Sequence, residues 1–264
     1  MGKSIGILSL KGGVGKTSVA VSLGDALANF GKKVLLVDGN FSAPNLGLHL
    51  NIVDPEVTLH DVLNRTSSIN DSITPLDNFD VIPSKIFTNM KINPFDLRDK
   101  LKNLKKRYDV ILIDSSPNLN EETLAVMLAS DEIFVVTTPD HPTLSTTLKA
   151  VKLAEQRGTT INGLILNKVY NKSFEISLKD VENTIEVPVL AVIPYDINFS
   201  KALSEFTPMP SFKPNSKASI EYKKLAGSLI GERYEPGFSF RDLVNITPRQ
   251  EEINREIFYD RLFK

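Results

Sequence analysis

Short runs that are apolar on both faces alternate along this chain with stretches in which apolar residues recur at helical spacing. Ile5 to Leu10, Val34 to Val37, Val110 to Ile113, Ile133 to Thr137, Leu164 to Leu166 and Val189 to Ile193 predict buried strands. Lys16 to Phe30, Leu97 to Lys105, Glu121 to Leu128, Leu144 to Gln156 and Ser216 to Ile230 predict helices between them. Such alternation implies an α/β fold, a mostly parallel central sheet covered by helices on both faces in three layers, with right-handed crossovers. Residues 66–95 are polar and turn-rich and are expected to wrap an edge. The pattern breaks again at Tyr234 to Phe238, and Pro248 precedes a last helix-like segment, Arg249 to Lys264. We therefore expect a main domain over 1–233 and a C-terminal appendage over 234–264 that ends in an amphipathic helix.

Composition narrows the chemistry. The 264 residues are 41% apolar with a net charge of −1, so no global basic field draws in nucleic acid or an anionic membrane. Cysteine is absent, which excludes disulfides, thiolate metal sites and cysteine nucleophiles in this sequence. No apolar run reaches the roughly 18 residues that span a bilayer, and the apolar stretch near Met1 is too short for a signal-peptide core. The expectation is a cytoplasmic protein, with peripheral membrane attachment as the alternative. His49, His60 and His141 show no metal-ligand spacing and read as structural or surface residues.

The first strand runs directly into Lys11-Gly12-Gly13-Val14-Gly15-Lys16-Thr17-Ser18 and then into a helix. A strand, a glycine-rich turn and a helix are the context of a P-loop. Glycines let backbone amides face phosphate oxygens without a side chain in the way. Lys16 is placed to reach the β- and γ-phosphates, and the Thr17 hydroxyl to hold Mg²⁺. Gly12, Gly13, Val14, Gly15, Lys16, Thr17 and Ser18 are the expected nucleotide-binding set. The strict motif wants glycine six residues before Lys16, where this chain has Leu10.

The string from Lys11 to Thr17 resembles the deviant P-loop of the MinD/ParA family of ATPases, and Phe41 to Leu50 resembles the switch segment of its archaeal MinD-like members. The likeness extends over about residues 3–230 and implies a P-loop NTPase with ATP and Mg²⁺. It implies that Lys11 reaches across a homodimer to the nucleotide of the second copy; outside that family Lys11 reads as a solvated surface lysine. Asp38 and Asp114, each ending an apolar strand, match positions near the metal. The family's water-positioning aspartate falls at Asn40. An amide can orient water but cannot take its proton, so slow hydrolysis is expected; taken alone, Asn40 is an ordinary turn residue. Asn167, Pro194, Tyr195 and Asp196 match positions around adenine, although each is also a common loop former.

The resemblance implies catalytic roles for Lys11, Lys16 and Asn40, and metal roles for Thr17, Asp38 and Asp114. It implies a switch that dimerises on ATP and positions a division site, a chromosome or other cargo through a regulatory or cargo protein. The expected C-terminal helix carries Ile253, Ile257, Phe258 and Leu262 across half a turn, which suits a membrane surface, the core or a partner. Its basic and acidic residues balance, unlike most surface-binding helices. Lys100 to Arg107 is the densest cationic run, and the leucines within it favour a solvated helix end over a DNA site. The alternatives are a ligase or carrier on the same scaffold, or a module that holds ATP without hydrolysing it.

Overall fold

Val34, Leu36, Val110, Leu112 and their neighbours are branched or long apolar residues that pack on a pleated surface covered on both faces. In the computed structural model, which describes residues 2–236 and 248–263, they form the middle of one sheet. Its strands are β1 (Lys3–Leu8), β2 (Val34–Gly39), β3 (Thr74–Pro75), β4 (Asp80–Ile82), β5 (Val110–Ser115), β6 (Glu132–Thr137), β7 (Gly163–Val169) and β8 (Val189–Pro194). Their spatial order is β3-β4-β2-β5-β1-β6-β7-β8. Among the described residues only β3 pairs antiparallel; every other neighbouring pair is parallel.

The helices are α1 (Lys16–Asn29), α2 (Leu46–His49), α3 (Leu59–Leu63), α4 (Leu97–Lys102), α5 (Glu121–Ala129), α6 (His141–Gln156), α7 (Leu178–Ile185), α8 (Asn198–Ser204), α9 (Met209–Phe212), α10 (Lys217–Ile230) and α11 (Gln250–Phe263). Alternation along the strands divides the core into two layers. Leu35, Val37, Ile111 and Ile113 meet α4, α5, α6 and α7 on one face. Leu36, Leu112, Phe134 and Ile165 meet α1, α10 and α11 on the other. The expected three-layer sheet is what forms.

The elements differ from expectation at their ends and in the irregular stretch. β1 stops at Leu8 because Ser9 already turns, its hydroxyl donating to Lys11 O at 3.3 Å. α6 starts at His141 because Asp140 accepts the Thr143 N–H at 2.9 Å and Pro142 fits the first turn. Residues 66–95 contribute β3 and β4 at the sheet edge, strands too short to leave a periodic signal.

The other edge is β8. Between Leu164 and Ile165 its register with β7 shifts, so Leu190 is an extra residue opposite no partner. Side chains satisfy the backbone groups this frees. Glu182 of α7 accepts the Val189 N–H at 2.7 Å, Asn254 donates to Val189 O at 2.8 Å, and Arg255 donates to Leu190 O at 2.8 Å. Arg255 also meets Glu221 at 3.2 Å, both of them buried. Phe258 is 3% exposed with its ring 6.0 Å from Phe134. α11 thus spends Phe258 on the core and leaves Ile253 and Ile257 outward. Among the described residues no helix is long and apolar enough to cross a membrane.

Candidate nucleotide-binding site

The parallel order brings the carboxyl ends of β1, β2, β5 and β7 to one rim, where ligands of open α/β sheets bind. The chain leaves β1 there and re-enters as α1 after a loop that surrounds a cavity of about 270 Å³. Its wall is the loop from Lys11 to Ser18 together with Ser9, Asn40, Asn45, His49 and Pro117. Gly15 caps α1 at φ 90°, a left-handed conformation that costs glycine nothing, and no side chain caps that end. The first-turn amides of a 14-residue helix are therefore left for an anion. A side chain at Gly15 would also collide with Asn167 Nδ2, 2.5 Å from where its Cβ would lie.

Lys16 and Thr17 both turn onto one carboxylate. Lys16 Nζ lies 2.6 Å from Asp114 Oδ1, and the Thr17 hydroxyl donates to Asp114 Oδ2 at 2.7 Å. Asp38 stands beside Asp114 in the parallel register of β2 and β5. It is fully buried and accepts the N–H groups of Asn40 at 3.1 Å and Leu46 at 3.0 Å. Burial, reinforced by the Asp114 charge, outweighs these hydrogen bonds and Lys16 and pushes the Asp38 carboxyl up to about 7. Two carboxylates held together against one lysine form a site short of positive charge.

Asn40 is 3% exposed. Its Nδ2 donates to Ala43 O, while its Oδ1 has no protein partner among the described residues. The same post-β2 segment is tied to α5 by the Ser42 hydroxyl, which donates to Glu122. Lys11 is not loose. Its Nζ donates to Thr143 Oγ1 at 2.6 Å and meets Asp140 Oδ1 at 3.2 Å, with 41% of the side chain exposed. Partial burial pushes the Asp140 carboxyl up, but Thr138, Thr143 and Lys11 outweigh it and hold the group down at about 2.

The residues expected around a base divide. Asn167 joins the loop, its Nδ2 donating to Val14 O at 2.8 Å, and Lys168 reaches Gly13 O at 2.6 Å. Tyr195 stacks on Tyr170 with centroids 4.6 Å apart, and Asp196 accepts the Asn198 N–H at 2.9 Å at the start of α8. Pro194 borders a separate, larger cavity of about 1140 Å³ beside β7 and β8. Size favours that cavity, but the glycine loop and the helix end, with the Lys16 and Thr17 that bind Asp114, line the smaller one.

The chain matches the AAA domain family over residues 2–166. The septum site-determining protein MinD of Thermotoga maritima is 32% identical over 244 residues, 88% of this chain and 89% of its own length. The sporulation initiation inhibitor Soj of Bacillus subtilis is 32% identical over 250 residues, 86% of this chain and 97% of its own. The chain belongs to the MinD/ParA family of ATPases. Its fold is also that of the septum site-determining protein MinD of Pyrococcus horikoshii, solved with Mg-ADP, at a TM-score of 0.82 and 35% identity over 87% of this chain and 96% of that one.

The donor set suits the ligands of a MinD/ParA ATPase. Among the described residues no three His, Cys, Asp or Glu side chains converge on a metal. A hydroxyl and two carboxylates do converge, all hard oxygens, and phosphate oxygens and water are the usual remaining ligands of Mg²⁺. Asn40 also lines the cavity, and its unpartnered Oδ1, shielded from solvent in this state, is a further acceptor beside it. His49, read from sequence as structural or surface, instead borders this cavity. The one local signal of that was its place within Phe41 to Leu50, the segment that resembles the family's switch.

Proposed function

We propose that this MinD/ParA ATPase is a switch that binds ATP with Mg²⁺, dimerises on it, hydrolyses it slowly and thereby positions a cellular partner. The observation that carries the reading is Lys11, a cation beside a phosphate loop but held away from it by an exposed aspartate and a threonine. An ion pair this exposed is worth little, on the order of 0–1 kcal/mol. A polyphosphate presented by a second copy can therefore outcompete it.

In this mechanism the amides of Gly12, Gly13, Val14, Gly15, Lys16, Thr17 and Ser18 wrap the phosphates. Lys16 leaves Asp114 for the γ-phosphate, so the buried pair of the free protein opens as nucleotide enters. Thr17, Asp38 and Asp114 would hold Mg²⁺, which supplies charge neutralisation across the phosphates. Asn167 fixes the loop beneath the base, with Pro194, Tyr195 and Asp196 toward its rim. Asn40 accepts a hydrogen bond from the attacking water through Oδ1 without removing its proton. Hydrolysis then rests on position and charge and is slow. The Ser42–Glu122 bond gives the post-β2 segment and α5 a shared state, a route by which a partner protein can change that rate.

The cargo is a protein or other cellular partner. A membrane contact through α11 has Ile253, Ile257 and Phe263 outward, because Phe258 is committed to Phe134. The extent of the ATPase unit is proposed as 1–233, with 234–264 as its appendage. Phosphate release measured over hours with Mg²⁺ and ATP tests the enzyme. We expect slow turnover that Lys16→Ala lowers at least a hundredfold; equal release from both proteins would contradict it.

A further inference from the structure

Two histidines flank the post-β2 segment, and their surroundings differ. His60 is 2% exposed, its Nδ1 accepts the Lys85 N–H at 3.0 Å, and its ring meets Phe41 edge-on at 5.8 Å. Those contacts account for it as a packing residue. His49 borders the phosphate cavity and stands within the electrostatic reach of Asp114 and Lys16. Among the described residues no side-chain hydrogen bond uses its imidazole.

The place of His49 is set by the carboxylate end of the sheet. α2 begins at Leu46, whose side chain is fully buried and whose N–H is fixed on Asp38 at 3.0 Å. Gly47 lies so close to Ile52 O that an added Cβ would be 2.7 Å from it, so the short helix sits tightly against the following loop. His49 is one turn beyond Leu46 and lines the same cavity as Asn40.

We propose that His49 is a further residue of the hydrolysis site, contacting the attacking water together with Asn40. The proposal rests on the ATPase reading above. Once Asn40 Oδ1, unpartnered and shielded from solvent in the free protein, turns toward the cavity, water bound between it and an imidazole nitrogen has both hydrogens engaged and a lone pair left for phosphorus. Burial keeps the His49 pKa below its usual value, with Asp114 opposing and Lys16 reinforcing, which suits a ring that still has an acceptor nitrogen. No proton need pass to either side chain. The water oxygen bonds to the γ-phosphorus, the bond to the β–γ bridging oxygen breaks with its electron pair going to ADP, and the water proton passes to phosphate oxygen. Asn40 removes the carboxylate from this position, and His49 restores a second contact.

The test compares His49→Ala and His49→Gln with the wild-type chain, with circular dichroism to establish folding. Steady-state phosphate release gives kcat and KM, and a fluorescent ATP analogue gives nucleotide affinity. His49→Ala is expected to lower kcat about tenfold to a hundredfold while nucleotide affinity changes less than about twofold. Glutamine, which keeps an acceptor of similar reach, restores part of the loss. Unchanged kcat in both variants overturns the proposal, as does loss of nucleotide affinity with kcat intact. If alanine does not fold, the glutamine variant decides: kcat reduced at unchanged affinity supports the role, and wild-type kcat overturns it. A wild-type chain that releases no phosphate overturns the ATPase reading and this proposal together, whereas an active wild type matched by both variants removes only His49.

Discussion

The phosphate rim and the β8 edge are both places where the sheet runs out of strand, and they treat their polar groups in opposite ways. At β8 the freed groups of Val189 and Leu190 are taken by Glu182, Asn254 and Arg255, and Phe258 closes the apolar side. At the rim Asn40 Oδ1 is unpartnered, two carboxylates adjoin, and Lys16 and Lys11 rest on Asp114 and Asp140. A satisfied edge holds the fold; an unsatisfied one is prepared for a ligand.

The largest test of that contrast is Phe258→Ala. Emptying a packed aromatic site destabilises by about 3–5 kcal/mol, so we expect a clear fall in the thermal midpoint. Nucleotide affinity of the folded fraction should be unchanged. Weakened ATP binding without destabilisation would merge the two edges and undo the comparison.

Asp140→Asn acts at the other edge and more gently. Removing the partner of an exposed lysine changes free energy by at most about 1 kcal/mol in each copy, so ATP-dependent dimerisation should tighten by no more than about thirtyfold, read by the concentration at half-assembly. Looser dimers would show that Asp140 supports Lys11 in the assembled state.

The smallest effect is a pH dependence. Burial holds the His60 pKa below its usual value, with Asp61, Phe41 and Glu122 opposing. The unfolded chain therefore takes up this proton first as pH falls. Stability should decline as pH drops below about 6.5, cease to change once the folded state also protonates, and be flat with respect to this group above neutrality. Denaturation midpoints of wild type and His60→Gln at several pH values check it, the variant losing part of the slope.

How much of this could be read in advance follows from the range of each interaction. Six strands and their order of appearance were legible because burial on both faces imposes continuous apolar runs. Lys11 to Ser18, Asp38 and Asp114 were legible because a P-loop and the strand-end carboxylates sit in local contexts. β4 was not, since three residues cannot display a period. α7 had a usable signal, Ser177 followed by Asp180, where the Ser177 hydroxyl accepts the Asp180 N–H at 3.2 Å. The Lys11–Asp140 pair and the Arg255 bond to the Leu190 bulge are set by chain crossings far apart in sequence. Spacing carries no trace of them. The tail shows the same limit: four apolar positions on one helical face did not say which would meet Phe134 and which would face outward.

Multi-angle light scattering of the wild-type chain and Lys11→Ala, each with Mg²⁺ and either ADP or ATP, addresses the central claim directly. The account predicts dimers for the wild type with ATP alone, and monomers for Lys11→Ala in both nucleotides although it still binds ATP. Wild-type monomers in ATP, or a Lys11→Ala protein that dimerises as the wild type does, would contradict it.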